Sequence, residues 1–373
     1  MIVEIQDYFN KKRKIYDFLL SFLQSEDSYY DYFEKLLNIL QEQEIQNDRE
    51  EFEHFLRLIL NISNYHHQTA GFYDKIEQIL LYFKDKIKQT FSNLDIFNIF
   101  ESNKKILLFL LKEDIIKADK SITNRLLETK IFFFFWPEIK DFLPVEEKRK
   151  IESYILNTDP EFFENYENKR KVGENDSYLC SLIRNDSIKE FVFYVNSNNV
   201  SFKSKIKRSY FETHAYLNEK QPTLIEYALF FGSIKIYNYL RHKIGTDLPE
   251  KTLLYSIHSN NKNLIHLIED AENIDYKMFL NESIKCHHND FAKYFENQLL
   301  EKGCDTDAVF RHYNYLYFPD CSSYDESSLF FYFYKNKNTK FVDLYLKAKN
   351  NDIEERIIHH HLNGILYSFY IQF

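Results

Sequence analysis

Glycine, proline and cysteine are scarce in this chain. Its 373 residues include only 6 Gly, 6 Pro and 4 Cys. The glycines Gly71, Gly173, Gly232, Gly245, Gly303 and Gly364 lie far apart. No G-x-G-x-x-G turn, P-loop or nucleophile elbow can be assembled from them. Those motifs need glycine where the backbone takes a positive φ or closes on a phosphate. The cysteines Cys180, Cys286, Cys304 and Cys321 include no C-x-x-C pair, which excludes zinc fingers and thioredoxin-like sites of the usual spacing. Scattered single thiols fit a reducing compartment. No apolar run approaches the ~18 residues needed to cross a bilayer. The opening residues lack the basic-then-apolar layout of a signal peptide. The expectation is a cytoplasmic protein with no membrane span.

What is present is aromatic and charged. There are 36 Phe and 29 Tyr, and charged residues make up 28% of the chain with a net charge of −9. A net negative charge argues against a protein built mainly to neutralise phosphates. A hydrophobic fraction of 44% suffices for a sizeable core. Excess Phe, Tyr, Ile, Lys and Asn with little Gly and Pro is what an AT-rich coding sequence yields, so the aromatic content needs no functional cause.

Apolar residues recur at helical spacing almost throughout, with little period-2 alternation. The stripes run Ile5, Tyr8, Phe9, Ile15, Phe18, Leu19, Phe22, then Tyr29 to Leu40, then Phe52, Phe55, Leu56, Ile59, Leu60, and then Phe72 to Ile87. Asp48, with Glu51 three residues on, is placed to cap the third. Shorter helical segments follow near 92–101, 103–117, 121–136 and 145–157. Composition shifts to Asn, Glu, Lys, Pro160 and Gly173 between 157 and 177. This divides the chain into an N-terminal helical array, 1–170, and a second part, 171–373.

The second part repeats. Thr223 to Leu240 reads as helix, tight turn, helix, with Gly232 at the left-handed end of the first helix and Ser233 as N-cap of the second. Equivalent turns fall at Asn185, Asn260 and His287, with a weaker one at Asn336. Four residues before the turn stand Ser181, Ala228, Ser256 and Ser283, all small. Seven before stand Tyr178, Ile225, Leu253 and Leu280; eight after stand Phe193, Leu240, Ile268 and Phe295. A small residue lets helix axes approach and large ones fill the flanks. The 28- and 27-residue spacings between the last three strong turns belong to a stacked repeat array, since one helix pair cannot bury its own apolar face. The fold class expected is all-α, a solenoid of antiparallel helix pairs.

The 223–240 segment resembles an ankyrin repeat. Thr223, Ile225, Ala228, Gly232, Ile236, Tyr239 and Leu240 meet the pattern T-P-L-H-x-A-A-x-x-G-H-x-x-x-V-x-x-L-L, while Leu224 and Glu226 depart from it. Residues from about 176 to 300 are similar to the degenerate repeats of the trichomonad-type ankyrin-repeat proteins of protists. The short spacing implies trimmed β-hairpin fingers. The resemblance implies a protein–protein interaction scaffold with another protein on the concave repeat surface. It carries over no catalytic residue.

Other features have plain readings. His66-His67, His287-His288 and His359-His360-His361 invite a metal, but adjacent helical histidines diverge by ~100° and no H-E-x-x-H occurs, so surface or turn histidines are expected. Lys11-Lys12-Arg13-Lys14 and Lys203, Lys205, Lys207, Arg208 read as solvated runs, although Phe202, Tyr210 and Phe211 beside the second set suit base stacking. Ile131 to Trp136 reads as a segment buried in the array. The apolar residues 365–373 are expected to fold back or to mediate self-association. No catalytic, cofactor-binding or metal-ligating residue is assigned. The leading reading is a non-catalytic interaction scaffold, with a nucleic-acid-associated helical repeat or an enzyme with an unrecognised site as alternatives.

Overall fold

The computed structural model describes residues 2–25, 29–66, 69, 71–245, 248–300 and 304–317. These residues are 72% helical. Among them no strand forms, and the one extended pairing is an antiparallel bridge between Lys205 and Thr223. The turn at 336 and the segments 359–361 and 365–373 lie outside the described residues.

The N-terminal array begins with Ile2–Gln24 packed on Tyr29–Glu42, followed by Arg49–Tyr65 and Phe72–Tyr82. Apolar spacing dictates which face each helix buries: Phe9, Ile15, Leu19 and Phe22 on the first, Phe52, Phe55, Leu56 and Ile59 on the third. Asp48 caps the third helix by accepting from the Glu50 and Glu51 amides at 3.0 and 3.1 Å. The Glu51 side chain does not complete a capping box. It pairs instead with Lys12, and both side chains are buried. The basic run is therefore not wholly solvated: Lys11 and Lys14 are exposed, while Lys12 is taken into the core by the charge of a neighbouring helix. The fourth apolar stripe is broken at Phe83, which caps Phe72–Tyr82 and opens Lys84–Thr90.

Phe133 to Trp136 are buried as expected, while Ile131 and Phe132 are half-buried, and the segment forms a short 3-10 turn, Lys130–Phe133, running into Trp136–Ile139. Tyr166 Oη donates to the Phe133 and Phe134 carbonyls left open by that irregular backbone. Arg170, 1% exposed, closes the region by pairing with Glu138 at 2.7 Å and Glu167 at 3.1 Å over the faces of Phe134 and Tyr166.

Four helix pairs follow: Tyr178–Arg184 with Ile188–Ser197, Leu224–Phe231 with Ile234–Ile244, Tyr255–His258 with Lys262–Ala271, and Tyr276–Lys285 with Asn289–Gln298. Each pair turns on one left-handed residue: Asp186, Gly232, Asn260 and His287, with φ from 48° to 70°. The first of these corrects the sequence expectation by one position. Asn185 is not left-handed; Asp186 is. The physical reason lies in the next pair. The Asp186 carboxylate accepts from the Lys235 and Ile236 amides at 3.1 and 2.9 Å and so caps a helix it does not belong to. Ser233, expected to cap that helix, makes no cap bond and donates to the Ile183 carbonyl at 2.6 Å. With the register corrected, the column four before the turn is Leu182, Ala228, Ser256 and Ser283. The last three are 0% exposed. A Cβ on Gly232 would sit 3.3 Å from both Asn261 Nδ2 and Ser259 Cβ, so both its positive φ and its lack of side chain are used.

The two parts of the chain share one apolar core. Several polar ties cross between them. Lys104 Nζ donates to the Tyr210 and Glu212 carbonyls, Tyr16 Oη lies 3.1 Å from His287 Nδ1, and His66 Nδ1 donates to the Cys286 carbonyl at 3.2 Å.

Candidate functional site

The turn side of the third and fourth helix pairs faces the N-terminal array, and a polar cluster is buried there. His258 closes the short helix Tyr255–His258 and is 0% exposed. Glu282 and Cys286 stand four apart at the end of Tyr276–Lys285, so they share a helix face. His258 Nε2 lies 2.8 Å from Glu282 Oε1, and Lys285 Nζ donates to the same oxygen at 2.9 Å. Cys286 Sγ is 3.5 Å from His258 Nδ1. The rings of Tyr216 and Phe230 stack on the imidazole at 4.1 and 5.2 Å.

The charges within the cluster follow from burial and partners. Burial pushes the Glu282 carboxyl up, but the His258 hydrogen bond and Lys285 overcome it and hold the group at about 2. Burial lowers His258 and outweighs the pull of Glu282, so the imidazole is neutral and Lys285 carries the positive charge. Neutral His258 then donates from Nε2 to the carboxylate, while the Cys286 sulfur, 3.5 Å from Nδ1 and 3.7 Å from Nε2, lies off the direction of the Nδ1 lone pair. Burial pushes the Cys286 thiol well above its ordinary value.

Thiol, imidazole and carboxylate in this order are the parts of a nucleophile–base–orienter relay. Here the relay is shut: Cys286 and His258 have no exposed surface, and burial keeps the sulfur protonated. The arrangement holds structure. One atom from each of His258, Glu282 and Cys286 lies within 4.8 Å of the others, but Lys285 already neutralises Glu282 and the sulfur lies off both His258 lone pairs, so the set does not fit a zinc-class ion.

Three more imidazoles adjoin it. His66 packs on His288 with ring centres 4.6 Å apart. Tyr16 Oη accepts from Asn289 Nδ2 at 3.0 Å and so donates to His287 Nδ1, which leaves His287 Nε2 buried without a partner. His288 Nε2 is likewise buried and unpartnered. His66, His287 and His288 are 0%, 0% and 4% exposed, which overturns the expectation of surface histidines. The physical reason is that the N-terminal array docks on the turns and removes them from water. His287 does occupy a turn, as expected.

Sequence reasoning missed His258, Glu282 and Cys286. Their signal is a repeat-to-repeat pairing, two before one turn with five before the next. The same pairing sets Arg184 Nη1 on Tyr227 Oη at 2.8 Å between the first and second pairs.

Two further surfaces matter. A cleft of about 690 Å³ lies between the array and residues 175–177 and 207–219, lined by Lys104, Lys207, Arg208, Tyr210 and Phe211. Lys203, Lys205, Lys207 and Arg208 are exposed, as expected. Glu101, Asp159, Asp176 and Glu219 line the same cleft, so it is not a continuous basic face. The second surface is the first helix pair. Eight before the turn, Leu224, Thr252 and Phe279 are buried, whereas Tyr178 is 59% exposed. Seven after, Tyr239 packs on Phe191 and Phe202 and Tyr294 donates to Glu269, each reaching the preceding pair. Phe193 at that position is 75% exposed, since among the described residues no helix pair is stacked before the first.

Comparison of the chain with protein-family models, with curated proteins and with solved structures finds no match to any of them.

Proposed function

We propose that this chain is a non-catalytic protein-recognition scaffold of divergent ankyrin-repeat type. Its partner contributes a helix or helix pair to the open end of the first repeat. The observation that carries this reading is the exposure of Tyr178 and Phe193 at positions that elsewhere in the stack receive a neighbouring pair. An apolar inter-repeat face left open is a surface of the kind that stacks on another helix. Aromatic anchors of this sort supply much of the affinity at protein interfaces. Glu190, exposed on the same helix as Phe193 at the position where the later pairs bury Ile236, Leu264 and Phe291, gives that end a polar rim and keeps it compatible with water. The turn side is not offered as the docking surface, since the chain's own N-terminal array covers it.

The mixed charge of the 690 Å³ cleft gives a nucleic-acid reading no comparable support, and the shut Cys286 relay gives none to catalysis. The test is a photo-crosslinking residue placed at 193 and, as control, at exposed Tyr154. In the native cell, position 193 should capture one protein species that position 154 does not. Tyr178→Asp should abolish capture while leaving the melting temperature within about 2 °C, as surface changes do. Equal capture at both positions, or capture indifferent to Tyr178→Asp, would refute the docking surface.

A further inference from the structure

We propose that His66, His287 and His288 make the contact between the N-terminal array and the fourth helix pair an acid-released latch, closed while the three imidazoles are neutral and opened when they take up protons. His66 ends the third helix of the array, and His287 and His288 form the turn of the fourth pair. The rings of His66 and His288 lie 4.6 Å apart across the junction, and both are buried. Two ties across the junction end on these residues. His66 Nδ1 donates to the Cys286 carbonyl at 3.2 Å, and Tyr16 Oη donates to His287 Nδ1 at 3.1 Å. Only a neutral His287 offers Tyr16 that lone pair.

Among the described residues, the surroundings offer these rings no unmatched anion. The charges that bear on His287 are those of His66 and His312, and on His288 those of His66, His258 and His287. The first helix brings Tyr16 and Gln24, with Asp17 exposed and set beside Arg13. The third and fourth helices bring Tyr65, Phe72 and Lys75, whose amine is tied to the Leu23 and Ser25 carbonyls. Residues 312–317 bring His312, Tyr315 and Tyr317. On the fourth pair Glu282 is already held by Lys285 and His258, and Asp290 is exposed with Lys262 at 3.9 Å. A proton on one ring therefore meets like charge on the next and no carboxylate to offset it.

His287 Nε2 and His288 Nε2 are also buried without a hydrogen-bond partner. A junction held only for stability is better filled by an apolar ring, which leaves no polar atom unsatisfied. What imidazole adds is a proton taken up in mild acid. Burial holds His66 at about 4 and puts His287 and His288 well below the ordinary 6.5. Each ring binds its proton more tightly when the junction is open. The closed form is fully favoured above 6.5 and loses that advantage as pH falls toward about 4. Release bares the turn side of the stack, which the array covers. The latch does not rest on the docking surface proposed above.

The experiment is hydrogen exchange of the full chain, read by mass spectrometry at about pH 7, 6 and 5 and corrected for the intrinsic pH dependence of amide exchange. Residues 60–66 and 283–290 should lose protection together. Their opening constant should rise by up to about 1,000-fold per pH unit, one power of ten for each imidazole. Lys104–Lys112 and Leu224–Phe231 should stay protected. His287→Asn, a residue type suited to φ 57°, and His288→Phe should each lower the rise by about tenfold per unit. Parallel opening of all four segments would reduce the histidines to general acid sensitivity and overturn the latch. A wild-type rise of less than about tenfold per unit would overturn it too, and that measurement stands even if both variants fail to fold. Variants that open with the wild-type slope would place the protons elsewhere and refute it equally.

Discussion

Glu212 offers the sharpest quantitative test of the junction between the two parts of the chain. Its carboxyl is 4% exposed and accepts from the Asn175 and His214 amides at 3.2 and 2.9 Å. Burial pushes it up to about 7, against the pull of those two amides and of Lys104; neighbouring Glu174 adds to the rise. In the unfolded chain the group returns to its ordinary value of 4.5. A carboxyl raised on folding binds its proton more tightly in the native state. Its contribution is therefore fully present below pH 4.5 and is lost as pH rises to about 7. A difference of this size corresponds to roughly 3 kcal/mol. Glu212→Gln removes the titration. Urea denaturation of both proteins at pH 4.5, 6 and 7.5 should show the variant offset at the lowest pH by the amide bond that its NH2 group cannot accept, and gaining on wild type as pH rises. The gain from the lowest to the highest pH should be about 1–3 kcal/mol, on the scale of one buried charge. His214 works in the opposite sense: burial lowers it to about 3, so its neutral form favours the native state increasingly as pH rises from 3 to 6.5. It is common to both proteins and cancels in the difference. A flat difference, or a wild type that gains on the variant with rising pH, would show that the amides and Lys104 outweigh burial and would refute the reasoning.

Three other outcomes follow from packing and capping. Leu240→Ala should destabilise by about 2–5 kcal/mol, since Leu240 is 0% exposed, whereas Phe193→Ala one helix pair earlier should cost under about 1 kcal/mol; similar costs in chemical denaturation would mean the first pair is covered after all. Ala228→Leu should cost about 1–3 kcal/mol by overpacking the crossing of Leu224–Phe231 with its neighbours, and an unchanged denaturation midpoint would make the small-residue column accidental. Asp186→Ala should cost about 1 kcal/mol through loss of a cap supplied across a repeat boundary, while Asn185→Ala should not; equal effects in the same assay would restore the turn to 185.

Local chemistry in the sequence set much of this architecture. Apolar residues three and four apart bury themselves as helix faces wherever there is a neighbour, so Phe52, Phe55 and Ile59, or Ile76, Ile79 and Leu80, were legible as core. Gly232 and Asn260 were legible as turns because few residues tolerate a positive φ. Ala228, Ser256 and Ser283 were legible as buried positions because small side chains recur there at a fixed distance from the turn. Tertiary structure decided the rest. Asp186 takes the left-handed position in preference to Asn185 because its carboxylate is needed by a helix 49 residues on, which no local rule sees. His66, His287 and His288 look like surface residues until the array docks on the turns and strips their water. His258, Glu282 and Cys286 meet only when one helix pair packs on the next, and Phe193 stays exposed because, among the described residues, no pair is stacked before it. Helix and turn propensities act over a few residues and are written into the chain. Burial, charge state and site assembly depend on which surfaces meet, and that is fixed only once the whole chain has packed.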